Sequence, residues 1–309
     1  MNTHILPQVA LIAGPTASGK SALAITIAQR HDGIVINADS AQVYRDLRIL
    51  TARPTDAEMA QVPHALFGHV DGADSYSAAR WAAEARAAID RAHVAGKLPV
   101  LVGGTGLYLR TLLDGIAPVP EIDPAVRAEV RALPVAAAHR TLATLDPVAA
   151  ARLAPADTTR VARALEVVRS TGTPLAVWQA QRSGGIGDRV ALAAMVLLPD
   201  RDWLMARCDA RAAAMIAGGA VEEVAELLKR TDIATDASIR RAIGVAELSA
   251  LFTGETSMNQ ALERIILATR QYAKRQYTWF RNQPPPSWHR EPALENDSRA
   301  SRIDILLRR

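Results

Sequence analysis

Along its first hundred residues the chain alternates between short, continuously apolar runs and longer stretches in which apolar residues recur every three or four positions. Residues 9–13 form one such run, and a glycine-rich turn separates it from helical periodicity over 21–29. A second run at 33–38 stops at Asp39-Ser40, and a third at 98–102 stops at Gly103-Gly104-Thr105-Gly106. Between them, 77–95 is rich in Ala, carries Arg80, Arg86 and Arg91, and ends at Gly96, which predicts a long helix. Runs of four to six apolar residues read as strands buried on both faces. Strands of this kind alternating with helices predict an α/β fold with a parallel sheet of doubly wound type.

The texture changes near 116–120. From there to about Arg189 the pattern is helical, and Asp123-Pro124 and Asp146-Pro147 each set a capping acid before a proline suited to the first helical position. Residues 183–187, glycine-rich, read as a flexible exit, and 190–198 reads as a strand returning to the sheet, with helix from Asp200. The predicted layout is therefore a core over 1–118 and 190–283, interrupted by a small all-helical insertion at 119–189. Pro284-Pro285-Pro286 opens a loosely held tail over 284–309.

Composition narrows the setting. With 309 residues, 49% hydrophobic and 22% charged, the chain is of ordinary globular type, so a disordered protein is excluded. Cys208 is the one cysteine, which rules out an internal disulfide and a cysteine-based zinc site. Residues 1–7 are too short and polar for a signal peptide, and no run approaches the roughly 20 apolar residues of a membrane span. The expectation is a cytoplasmic monomer with no membrane contact. A net charge of +4 permits a polyanionic partner without requiring one.

The candidate chemistry starts in the first turn, Gly14-Pro15-Thr16-Ala17-Ser18-Gly19-Lys20-Ser21. Two glycines at this spacing followed by Lys and Ser make a P-loop, placed between a strand and a helix as the motif requires. Its backbone N–H groups converge on a phosphate at the positive end of the helix, Lys20 adds a full charge, and Ser21 is placed to ligate Mg2+. The core is thus P-loop NTPase-like. Asp39 stands at the carboxyl end of the second strand, the edge where such sheets place ligands. It could bind Mg2+, hold a substrate hydroxyl, act as a general base, or cap the next helix. No acid follows the third strand and no guanine-reading motif is present, which disfavours a motor ATPase or a GTPase. The stretch 269–281 is basic with interleaved aromatics: on a helix Arg270 and Lys274 share a face, with Gln271 and Arg275 beside it. Such a helix either packs its aromatics on the sheet or tracks an RNA backbone. Arg160, Arg163 and Arg169 add a second basic face with the same two readings.

Taken together these segments resemble the bacterial tRNA dimethylallyltransferases (tRNA isopentenyltransferases) over residues 8–281. The blocks that carry the resemblance are Gly14 to Ser21, Asn37-Ala38-Asp39-Ser40-Ala41-Gln42-Val43-Tyr44, Thr51-Ala52-Arg53-Pro54, Val62-Pro63-His64, Tyr76-Ser77-Ala78-Ala79, Val102 to Tyr108, Arg160 to Glu166, and 269–281. The resemblance implies transfer of a dimethylallyl group from its diphosphate to the exocyclic N6 amine of the adenosine 3′-adjacent to the anticodon, in tRNAs reading codons that begin with U. It implies that residues 14–21 form the diphosphate or nucleotide (ATP-type) site, with Mg2+ on Ser21. It further implies Lys20, Asp39 and Thr105 as catalytic, Asp39 taking the amine proton. Contacts to the tRNA anticodon stem-loop are implied for Asp39, Ser40, Ala41, Gln42, Thr105, Arg127, Thr159, Arg160, Val161, Ala162, Arg163 and Arg241, with the adenine expected to flip into a channel between core and insertion. One departure stands in 239–247, where the family's Tyr and following cation are missing while Arg241 is retained, so an RNA contact there rests on Arg241 or shifts to Arg240. The rival readings are a P-loop small-molecule kinase and a non-catalytic RNA-binding protein.

Overall fold

The computed structural model of the chain describes residues 6–293 and 295–308, so the N-terminal expectation falls largely outside the described residues. Two compact units emerge, one running up to Leu113 and again from Ile186, the other Asp114–Gly185.

The first unit opens with β1 (Gln8–Ala13), α1 (Lys20–Arg30), β2 (Gly33–Asn37), α2 (Asp56–Met59), β3 (His64–Ala65), α3 (Ala78–Val94), β4 (Leu98–Gly103) and α4 (Gly106–Asp114). The second unit holds α5 (Pro124–Ala132), α6 (Val135–Leu145), α7 (Pro147–Arg152), α8 (Thr158–Thr171) and α9 (Leu175–Ala180). The chain then returns to the first with β5 (Ala191–Leu197), α10 (Arg201–Met215), α11 (Val221–Lys229), α12 (Val245–Phe252), α13 (Met258–Asn282), β6 (His289–Glu291) and α14 (Asn296–Leu307).

All strands are parallel in the order β3-β2-β4-β1-β5-β6. The two-residue period of a strand divides β1 between two cores: Val9, Leu11 and Ala13 face one, Ala10 and Ile12 the other. That is why the strand is apolar without alternation. Because β1 lies between β4 and β5, and β4 adjoins β2, the carboxyl ends of β1, β2 and β4 bring the P-loop, Asp39 and Thr105 to one edge of the sheet.

The helical unit has its own core of Val130, Ala138, Leu142, Ala150, Val161, Ala164, Leu165 and Val168. Asp123 and Asp146 cap α5 and α7, accepting from the amides of Ala125 at 2.8 Å and Ala149 at 3.0 Å, with proline at the first helical position of each. Its bounds run about five residues earlier than the 119–189 read from the sequence. The exit at 183–187 is also more ordered than its glycines suggest: Ile116 and Ser183 exchange backbone hydrogen bonds of 3.0 and 3.1 Å, and Ile186 is buried.

The tail requires the larger correction. Residues 289–291 extend the sheet as β6, and α14 buries Ala300, Ile303 and Leu307 against the core that α1 shares with the sheet. Arg30 pairs with Asp297 and Asp304 at 3.1 Å each, and Asn296 Nδ2 donates to Thr26 Oγ1 at 2.8 Å. The apolar positions of α14 are few and embedded among charges, so the local sequence hides the helix. No helix of the described residues is long and apolar enough to cross a membrane.

Candidate active site

Gly14 leaves β1 with φ +145°, and a Cβ there would lie 2.6 Å from the Leu197 carbonyl oxygen. Only glycine fits so close to the end of β5. The loop then passes to α1, which begins at Lys20 with Gly19 as its cap and no side chain closing its first turn. The uncapped amides and the positive end of the helix dipole are therefore left to a ligand. Around the loop, Lys20 Nζ donates to the Pro15 carbonyl at 2.6 Å, and the Thr16 amide donates to Gln276 Oε1 at 2.8 Å. The same Gln276 donates through Nε2 to the Gly104 carbonyl at 2.8 Å, tying the loops after β1 and β4 together. From α10, Arg207 Nε donates to the Ala17 carbonyl at 3.2 Å and Arg211 donates to Thr16 Oγ1.

The loop borders a cavity of about 520 Å³, lined by residues 16–22 with Asp39, Arg207 and Arg211 among others. Burial pushes the Lys20 ammonium down to about 8; Asp39 opposes the shift and Arg211 adds to it. Burial likewise lowers the Arg211 guanidinium, whose Nε has no hydrogen-bond partner among the described residues. The cavity thus gathers cations and backbone amides, with the Ser21 hydroxyl and the Asp39 carboxylate as oxygen donors. That is the lining of an anion site.

Asp39 is set by its neighbours. Asn37 Nδ2 donates to the carbonyls of Asp39 and Leu66 at 3.0 Å, and Asn37 Oδ1 accepts from the Asp39 amide at 2.8 Å. Trp81 Nε1 holds the Asn37 carbonyl at 2.8 Å. Asp39 Oδ1 accepts from the Ala41 amide at 2.9 Å and caps only this turn, since no helix follows. Thr105 Oγ1 accepts from the Ser40 amide at 3.0 Å and donates to Ser40 Oγ at 3.2 Å, and Gln42 donates to the carbonyls of Thr51 and Ala52 at 2.9 Å each.

A second cavity of about 540 Å³ begins where the first ends. Thr16, Asp39, Thr51 and Arg211 line both. Its remaining wall is largely apolar or aromatic, with Tyr44, Leu50, Tyr108, Met215, Ile239 and Ile243, and with Thr105, Tyr272, Arg241 and Arg275 at polar points. Burial raises the hydroxyl of Tyr272, and the negative charge of Asp39 raises it further, so it stays neutral. A carboxylate between an anion cradle and an apolar chamber can accept a proton while a leaving group departs on the other side.

The remaining sequence candidates divide between the units. Arg241 is exposed at the second cavity, while Arg240 turns inward and donates to the carbonyls of Arg230 and Ile233 at 3.1 Å. A shift of the lost contact to Arg240 is therefore not supported. Arg127, Thr159, Arg160, Val161, Ala162 and Arg163 belong to the helical unit. Arg127 and Arg163 flank the buried Glu166 at 4.0 and 3.7 Å, with Arg131 at 3.1 Å. Thr159 and Arg160 are exposed, Ala162 is half-buried, and Val161 is fully buried, so its side chain faces no ligand. On α13 the inward face is packed and the outward face is charged. Thr269, Ala273, Gln276 and Phe280 pack inward, while Arg270, Gln271, Lys274 and Arg275 face outward, Arg270 pairing with Asp209.

Arg207 and Arg211 have no place among the sequence candidates, and Tyr272 and Gln276 fall within the 269–281 stretch without being assigned a role at this site. The four-residue interval between the two arginines, which sets both on one face of α10, is the signal that could have found them.

The chain matches the family described as "IPP transferase" over residues 42–283 and that described as "Isopentenyl transferase" over 7–66. It is 65% identical over 283 residues to the tRNA dimethylallyltransferase of Sphingopyxis alaskensis, covering 91% of this chain and 92% of that one. The corresponding protein of Erythrobacter litoralis is 58% identical, with 92% and 91% covered. Among solved structures, the full-length tRNA isopentenylpyrophosphate transferase of Bacillus halodurans superposes with a TM-score of 0.69 at 32% identity, covering 97% and 98% of the two chains. A eukaryotic dimethylallyltransferase acting on tRNA gives 0.77 at 31%, covering 88% of this chain and 69% of that one. A family match across most of its length, joined to relatives this similar, makes the chain a member of the tRNA dimethylallyltransferase family.

Proposed function

We propose that this protein transfers the dimethylallyl group of dimethylallyl diphosphate to the N6 amine of the adenosine 3′-adjacent to the anticodon in tRNAs reading UNN codons, releasing diphosphate. The observation that carries the reading is the meeting of two unlike cavities at Asp39: one cationic and amide-lined, the other apolar. The diphosphate lies in the P-loop formed by Gly14, Pro15, Thr16, Ala17, Ser18, Gly19, Lys20 and Ser21, and the isoprenoid chain and adenine share the second cavity.

As the bond between C1 of the donor and its bridging oxygen breaks, negative charge grows on the diphosphate, where Lys20, Arg211 and the loop amides face it. The N6 nitrogen bonds to C1 and its proton passes to the Asp39 carboxylate. Thr105 holds Ser40 and so the turn that carries Asp39, and can guide the adenine amine by hydrogen bonding. The Ser21 hydroxyl and the diphosphate oxygens are hard donors suited to Mg2+, which would neutralise leaving-group charge. Ser40, Ala41, Gln42 and Arg241 contact the RNA beside the cavity. In the helical unit Arg127, Thr159, Arg160 and Arg163 offer charge and hydroxyl to the backbone, with Val161 and Ala162 supporting the helix that presents them.

The test is incubation with labelled dimethylallyl diphosphate, Mg2+ and an unmodified UNN-reading tRNA, followed by digestion of the RNA. Label on the N6 of one adenosine is expected. Absence of labelled adenosine while tRNA still binds would overturn the transferase reading.

A further inference from the structure

Among the residues that contact the P-loop from outside both cavities is an arginine of α14. Arg299, in the first turn of α14, is 2% exposed. Its Nε donates to the Ala293 carbonyl at 2.6 Å and its Nη1 donates to the Ser18 carbonyl at 3.2 Å. Its Nη2 has no hydrogen-bond partner among the described residues. Burial lowers the guanidinium from its ordinary value, and Glu291 offsets that only in part. The same Nη1 lies 3.1 Å from where a Cβ on Gly19 would be, so the cation sits under the Ser18–Gly19 peptide.

A trans peptide places its C=O and N–H on opposite sides. Holding the Ser18 oxygen toward α14 therefore aims the Gly19 amide away from it, and Gly19 lines the anion cavity. A buried cation whose contacts are carbonyls rather than a carboxylate also lends positive potential to the loop above it, and an unpaired buried charge is costly until an anion approaches. The segment that supplies it lies beyond residue 283, where the family match ends.

We infer that Arg299 is a positioning residue for the diphosphate: from beneath the P-loop it fixes the Ser18–Gly19 peptide and adds charge there, coupling the docking of α14 to anion binding. This rests on the proposed role of the loop as the diphosphate site.

Coupling is reciprocal, so the unaltered protein already offers a test. Saturating inorganic pyrophosphate with Mg2+ should slow amide exchange in 296–307, although that helix lines neither cavity; unchanged exchange there, with pyrophosphate bound, would overturn the inference. In variants, Arg299→Met should raise the Kd for pyrophosphate by about tenfold, equivalent to ~1.4 kcal/mol, and raise KM for the donor with kcat and tRNA affinity little changed. Arg299→Lys, which keeps the charge and a single donor nitrogen, should recover part of the loss and decides the matter if the methionine variant does not fold. Pyrophosphate affinity equal to that of the unaltered protein, or a matching loss of tRNA affinity, would refute the positioning role. Failure of the transferase reading is distinguishable, because the unaltered protein would then bind pyrophosphate and label no RNA.

Discussion

At the scale of single residues, the site separates two demands on one carboxylate. Asp39 must hold its turn through the Ala41 amide and must also be free to take a proton. Asparagine preserves the first function and removes the second. Asp39→Asn should therefore lower kcat by ~10²-fold or more while pyrophosphate affinity, read by calorimetry, stays the same or tightens slightly. Weaker pyrophosphate binding in that variant would assign Asp39 to ligand holding instead. Lys20 makes a second prediction. In the free protein it titrates near 8, because burial penalises its charge. A bound diphosphate favours the ammonium, so the pKa rises on binding and complex formation above pH 8 takes up a proton. Affinity should be flat below pH 8 and fall toward tenfold per unit above it. Calorimetry in two buffers of different ionisation heat measures the uptake, and a pH-independent Kd up to pH 9.5 would contradict it.

At the scale of elements, the segment Leu47–Arg53 has no regular structure, yet Leu50, Thr51 and Ala52 line the cavities. One side chain from α11 holds it. The Glu223 carboxylate accepts from the amides of Arg48, Ile49 and Leu50, the last two at 2.9 Å. Glu223→Ala leaves those N–H groups without their charged acceptor and should cost about 2 kcal/mol in denaturant unfolding, with a raised KM for both substrates. Unchanged stability and kinetics would show that the segment holds itself.

That dependence also explains what the sequence concealed. The P-loop, Asp39 and Thr105 are legible because each stands at the end of an apolar strand and its neighbours in the chain are its neighbours in space. Arg207, Arg211, Gln276, Glu223 and Arg299 act on loops from about 170 to 280 residues away. Apart from the four-residue interval between Arg207 and Arg211, nothing local marks them as different from other polar residues on amphipathic helices. The same limit misjudged the tail, whose Ala300, Ile303 and Leu307 acquire meaning only against α1.

At the scale of the whole molecule, no core cluster among the described residues mixes the two units. The chain leaves and re-enters the first unit side by side, with the amides of Ile186 and Gly187 donating to the carbonyls of Leu112 and Leu113 at 3.0 Å. Residues 114–185 should thus be removable. A chain closed there by a short glycine linker should fold, bind pyrophosphate within about threefold of the intact protein and lose tRNA modification, since Arg127 and the 159–163 segment go with the deletion. Loss of cooperative unfolding or of pyrophosphate binding would show that the insertion supports the core.

The hydrogen bond from Arg299 to Ser18 spans 281 positions. During synthesis the phosphate loop is among the earliest segments to emerge, and its brace among the later ones. Local pieces such as α1 can form early, but the Ser18–Gly19 peptide cannot be set until α14 has been made and has docked. A partly made chain would then carry the complete motif with a weakened grip on diphosphate, and full competence would arrive only after nearly all of this sequence has been translated.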